Sequence, residues 1–187
     1  DRSTLYAGCQ GVFGLKNQMA ALLGIKPAQM RVVTGNVGGS FGMKAQVYPE
    51  YICILHAAKE LGRPVKWIED RREHLIASIH ARDHQHTLEA YVSADGRLLG
   101  LKADITVDNG AYSTHPFTSA GEPGMVGKVL PGPYDFQAYE ATFRALATNK
   151  CAIGTYRGVA RPSAVFSQER LMDDLLIPGD LAGLRVE

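Results

Sequence analysis

Apolar and polar positions along the chain switch repeatedly between the two-residue period of strands and the 3.6-residue period of helices. Residues 5–9 read as a short strand, and Val12, Leu15, Met19, Leu22 and Leu23 then recur at helical spacing up to Gly24, with Pro27 just beyond. Residues 30–34 are apolar and β-branched enough for a buried strand. A second amphipathic stripe, Tyr51, Ile52, Leu55, Ala58 and Leu61, is closed by Gly62 and Pro64. Residues 65–69 predict another strand with Trp67 in the core, and Asp70 is placed to cap a short helix through Glu73, Leu75 and Ile76. The Asp95-Gly96 step between residues 87–93 and 98–108 predicts a β-hairpin.

Residues 109–133 hold many Gly, Pro, Ser and Thr with little periodicity and read as an irregular surface or cleft-lining segment. Residues 137–148 alternate as a last strand. A helix then begins near Ser163, with Pro162 tolerated in its first turn and Val165, Phe166, Leu171 and Leu175 turned inward. Residues 176–187, around Ile177-Pro178-Gly179, have no evident packing partner and are expected to be poorly ordered. The sum is an α/β fold, a mixed sheet with helices packed on it, assigned to one domain at residues 1–175 and a tail at 176–187.

Composition narrows the class of protein. With 187 residues, 45% apolar and 21% charged, the chain can bury a core as one domain or two small subdomains. A net charge of +1 without a basic stripe points away from nucleic acid and anionic membrane. Cys9, Cys53 and Cys151 form neither a disulfide framework nor a zinc-type spacing, so a reducing, cytoplasmic setting is expected. No apolar run approaches the roughly twenty residues that span a bilayer. The chain starts without initiator methionine or signal peptide and is expected to be a piece of something longer.

The stretch Gly38-Gly39-Ser40-Phe41-Gly42-Met43-Lys44 stands out, with a remote partner in Tyr156-Arg157-Gly158. Three glycines within five residues follow the strand at 30–34, making a loop whose backbone can be approached closely. Phosphates, pterins and metal-bound oxygens all suit such a loop, and Phe41 is also read as a core residue. It is not a Walker loop, because no Ser or Thr follows Lys44. It is not a dinucleotide fingerprint, because the glycine spacing differs and the helix is delayed past Pro49. Ser40 lacks the surroundings of a nucleophile elbow. What remains is a cradle of backbone amides, with a second at Arg157-Gly158, both able to point donors at an anion.

Among the six histidines, His84 and His86 project from one face if their run is a strand, but no Cys, Asp or Glu completes a zinc-like or iron-like spacing. His56 lies inside a helical stripe and reads as an ordinary helix residue.

Gln10, the Gly38 to Lys44 loop and the Tyr156 to Gly158 motif, with their spacing, resemble the molybdenum-binding large subunit of the xanthine dehydrogenase, aldehyde oxidase and carbon monoxide dehydrogenase family, over nearly the whole chain. Pro64 to Arg72 and Ala81-Arg82-Asp83 look most like the carbon monoxide dehydrogenase branch. The resemblance implies a molybdopterin-type molybdenum cofactor. Gln10 would hydrogen-bond an oxygen around the metal, the backbone of Gly39 and Phe41, with Gly38, Ser40 and Gly42, would cradle the cofactor, and Tyr156, Arg157 and Gly158 would flank it. The activity implied is hydroxylation of an electron-poor carbon with water-derived oxygen, with electrons passed to iron-sulfur and FAD groups on other chains or regions.

Purine-oxidising members carry Glu after the loop lysine and Arg in the irregular segment, where this chain has Ala45 and Met125. Carbon monoxide dehydrogenases carry a copper-binding Cys where this chain has Gly158. An aldehyde or aromatic N-heterocycle is therefore the implied substrate. The family's general-base Glu belongs to a second, C-terminal molybdenum domain that this chain does not contain, so the chain alone is expected to be inactive, half of a site. The rival readings are a non-catalytic assembly module of such a complex and a simple anion-binding protein.

Overall fold

The computed structural model describes residues 2–117 and 120–176, and the backbone of 185–186. It divides into two compact units: one comprises residues 1–79, 114–117 and 154–157, and the other residues 80–113, 118–153 and 158–187.

In the first unit β1 (Ser3–Tyr6), α1 (Val12–Leu22) and β2 (Met30–Val33) form a β-α-β unit whose strands pair in parallel, Ser3 opposite Met30. A parallel pair needs such a crossover helix. Leu15, Met19 and Ala20 of α1 bury against Leu5, Met30 and Leu55, the last from α2 (Pro49–Leu61). Burial of each large side chain contributes roughly 1.5–3 kcal/mol. Pro49 supplies the first residue of α2, and Gly62, left-handed at φ 62°, ends it. A short helix α3 (Arg71–Ala77) is capped by Asp70, whose carboxylate accepts from Glu73 N–H at 2.8 Å, while Glu73 accepts from Asp70 N–H.

The second unit is a four-stranded mixed sheet in the order β5-β4-β3-β6, formed by β3 (His84–Val92), β4 (Leu98–Asp108), β5 (Ala138–Leu146) and β6 (Arg185–Val186). The expected hairpin joins β3 and β4 in antiparallel register. β4 and β5 are parallel and are bridged by α4 (Gly121–Val129). Leu88, Leu101, Ile105 and Val107 from the sheet, Val126 and Leu130 from the α4 region, and Ala164 and Leu171 from α5 (Arg161–Leu176) share one core. Mixed sheet and packed helices agree with the expected α/β class.

Several local expectations change. Residues 65–69 pair with no strand among the described residues, and Trp67 and Ile68 are exposed. Strand propensity registers fit to a half-buried pleated surface, and this segment has none; Glu69 instead bonds His74 at 2.6 Å. The irregular segment contains α4, because its glycines are close-approach positions: a Cβ on Gly127 would lie 3.1 Å from the Phe143 ring of β5. In α5 the inward residues are Ala164, Gln168 and Leu171, with Leu175 partly buried, while Val165 and Phe166 are exposed. Of the tail, residues 177–184 and 187 lie outside the described residues, but 185–186 pair with Leu88 and Glu89.

Candidate functional site

The glycine loop follows β2 directly, and its backbone is left-handed at Gly38 (φ 66°), Gly39 (99°), Phe41 (50°) and Gly42 (93°). Three of these four positions are glycine, the residue that enters this region without steric cost. The close approaches differ along the loop. Beside Gly38 there is open space, whereas a Cβ on Gly39 would collide with the Phe41 ring and one on Gly42 would meet the carbonyl oxygen of Thr155 at 2.5 Å. Gly42 is therefore where the remote segment touches the loop.

That contact brings the two sequence motifs together. The Arg157 guanidinium carbon lies 5.7 Å from the centroid of the Phe41 ring, in cation-π range. Phe41 is 53% exposed and is thus a face of the site, not the core residue expected. Gly158 belongs to the second unit. Its Cβ direction is filled by Pro162 at 3.0 Å, and its carbonyl accepts from Arg161 N–H, so glycine there serves the entry to α5.

Gln10 sits on the loop: its Oε1 accepts from Gly42 N–H at 3.1 Å and its own N–H donates to the Lys44 carbonyl at 2.9 Å. With Oε1 so engaged, its two Nε2 protons have no acceptor among the described residues. Lys44 Nζ donates to the Val37 carbonyl, closing the loop on itself. The N–H groups of Gly38, Gly39, Ser40 and Phe41 likewise meet no acceptor among the described residues. Successive free amides in left-handed conformations form a concavity suited to anions.

Two residues that the sequence did not single out hold this arrangement. Gln46, 2% exposed, satisfies both ends of its amide when that group is assigned the orientation in which Nε2 donates to the His115 carbonyl at 2.9 Å and Oε1 accepts from Thr155 N–H at 3.2 Å. Tyr48 donates its hydroxyl to the Met43 carbonyl at 2.9 Å, and burial, helped by nearby Tyr51, pushes its pKa up to about 12. Neither residue belongs to a recognisable pattern; only proximity to the loop marked them.

The donor set fits a polyoxygen or phosphate-bearing cofactor held without protein ligation: backbone amides, one carboxamide and one guanidinium, with glycines permitting close approach. Residues 1–176 match the molybdopterin cofactor-binding domain family, and the chain belongs to that family. It is similar to the nicotine 6-hydroxylase large subunit of Paenarthrobacter nicotinovorans, 39% identical over 94% of this chain and 22% of the relative. It is also similar to the carbon monoxide dehydrogenase large chain of Hydrogenophaga pseudoflava, 33% identical over 92% of this chain and 22% of the relative. Among solved structures, quinoline 2-oxidoreductase from Pseudomonas putida 86 superposes with a TM-score of 0.86 at 35% identity, over 91% of this chain and 22% of that one. The chain thus spans about a fifth of the length of the curated relatives it matches. No helix among the described residues is long and apolar enough to cross a membrane.

Proposed function

We propose that this chain is the part of a molybdenum hydroxylase large subunit that holds one side of a molybdopterin-type cofactor. The complete enzyme hydroxylates an aromatic N-heterocycle or an aldehyde with water-derived oxygen and passes electrons to iron-sulfur and FAD groups elsewhere in the complex. The observation that carries this reading is the Gln10–Gly42 contact, which turns one carboxamide and four loop amides into a single set of unused donors. Nicotine and quinoline, in the names of two similar proteins, each contain a pyridine ring, which supports an N-heterocycle of the pyridine type; Ala45 and Gly158 are what argue against a purine and carbon monoxide.

When bound, the cofactor supplies the two-electron redox chemistry. This chain's residues do the positioning. The N–H groups of Gly38, Gly39, Ser40 and Phe41 would donate to a negatively charged group of the cofactor, Gln10 would donate Nε2–H to one of its oxygens, and Tyr156 and Arg157 would close the side marked by the Phe41 ring. Donors fixed in advance need no reorganisation during reaction. The general base comes from the second, C-terminal molybdenum domain.

The test is Gln10→Ala in the assembled enzyme, with molybdenum content and folding measured beside turnover. Loss of one oriented hydrogen bond at the reacting centre should lower the rate by roughly tenfold or more at equal molybdenum content. An unchanged rate in fully loaded enzyme would refute the role of Gln10. Failure of the wild-type complex to retain molybdenum would favour the assembly-module reading.

A further inference from the structure

The second unit contains a cavity of about 550 Å³ whose wall includes Arg82, His84, His86, Phe166, Ser167 and Arg170. His84 and His86 are two apart on β3 and so share one face of the sheet. Their rings lie 5.4 Å apart, and His84 Nδ1 faces His86 Nε2 at 3.3 Å.

The outer nitrogens are held as firmly. His84 Nε2 is 3.1 Å from Glu122 Oε1, with the two side chains only 4% and 7% exposed, and His86 Nδ1 is 2.7 Å from Ser167 Oγ. A carboxylate buried this deeply is costly unless its partner needs it. Carboxylates and hydroxyls bound to the far nitrogens of a histidine pair are what fix ring orientation at metal centres. The facing separation of 3.3 Å suits either a direct N–H···N bond or a bridging ion. Two imidazole nitrogens about 2.0–2.1 Å from a tetrahedral ion stand about 3.3–3.4 Å apart.

We propose that His84 Nδ1 and His86 Nε2 bind a divalent transition ion of the zinc type, with its remaining positions open to the cavity. Without the ion the chain of bonds is complete: Ser167 donates to His86, His86 to His84 and His84 to Glu122, a tautomer assignment that follows from the network. Binding shifts one proton, so that His86 Nδ1–H donates to Ser167 while Nε2 offers its lone pair. Among the described residues no third His, Cys, Asp or Glu completes the set, and the proposed site therefore takes its other ligands from solvent. His84 and His86 belong to the second unit and the glycine loop to the first.

The test titrates the purified protein with Co2+ at pH 7.5 and follows the visible ligand-field bands. One saturable equivalent with four-coordinate intensity is expected. His84→Gln and His86→Gln should each weaken binding at least tenfold, Glu122→Gln by about 10–100-fold, and His56→Gln should leave it unchanged. Circular dichroism verifies folding of each variant. X-ray absorption of the zinc-loaded wild type supplies a readout that does not depend on variants, and two imidazole shells are expected. Binding that survives in the folded His84→Gln/His86→Gln double variant, or a zinc spectrum without imidazole scattering, would overturn the proposal.

Discussion

Substituting Gly42 tests whether the loop is held by its contact with the Thr155 segment. Gly42→Ala meets three costs at once. The residue sits at φ 93°, and left-handed backbone costs an L-residue about 1–2 kcal/mol. The added Cβ would lie 2.5 Å from the Thr155 carbonyl oxygen and 2.9 Å from its carbon, backbone atoms that cannot rotate away. Overpacking of this kind costs typically about 1–3 kcal/mol. The shift also strains the bond from Gly42 N–H to Gln10, worth about 1 kcal/mol. Together these predict a loss of roughly 3–6 kcal/mol.

Gly38→Ala is the control that isolates the contact. Gly38 is also left-handed, at φ 66°, but nothing lies within 4 Å of its Cβ direction, so only the backbone cost of about 1–2 kcal/mol applies. Urea unfolding of both variants, followed by circular dichroism, should separate them by about 2 kcal/mol or more at equal m-value. If they agree within about 0.5 kcal/mol, the close approach to Thr155 does not hold the loop, and the account of how the two motifs meet fails.

Three smaller predictions follow from other parts of the fold. Lys150 bonds Asp108, with Thr148 and Gly110 N–H adding to it, and lowers the Asp108 pKa to about 2. The stability it contributes is present above the unfolded carboxylate pKa near 4 and is lost as pH falls through 2, so Asp108→Asn should flatten the acid limb of unfolding between those values. Asp70→Ala removes the cap of α3 and should cost about 1 kcal/mol, read by chemical denaturation. Leu171→Ala opens a hole in the second core and should cost about 2–5 kcal/mol, whereas Phe166→Ala, exposed on the same helix, should cost less than about 1 kcal/mol in this chain.

The sequence carried those elements whose signal is local. Val12 to Leu23, the capping aspartate and the Asp95-Gly96 hairpin each contain their own start, stop or turn chemistry, and each forms as read. The failures have one physical origin, because their outcome depends on a partner distant in sequence. Gly124 and Gly127 look like loop residues until Phe143 is placed against them, and Val65 to Glu69 looks like a strand until no neighbouring strand is found. Val165 and Phe166 look like core until Ala164, Gln168 and Leu171 take the inward face of α5. At the candidate site the glycine loop, Gln10 and Arg157 were legible as types. Gln46 and Tyr48 were not, since a buried glutamine bonding two backbone groups leaves no periodicity to read.

Those two residues explain why the loop keeps its donors. A glycine-rich segment left to itself would satisfy its amides by folding onto its own carbonyls. Here the nearby carbonyls are already engaged: Tyr48 takes that of Met43, Lys44 that of Val37, Gln10 N–H that of Lys44, and Gln46 that of His115. Gln10 Oε1 and the close packing of Gly42 on Thr155 then fix the far end of the loop. The amides of residues 38–41, left-handed at Gly38, Gly39 and Phe41, are left with no internal acceptor among the described residues. Their capacity is therefore produced by occupying the competing acceptors as much as by the glycines themselves. Releasing one of those side chains, as in Tyr48→Phe, should weaken cofactor retention in the assembled enzyme although Tyr48 bonds only backbone. Molybdenum content equal to wild type in that variant would show that the glycines suffice alone.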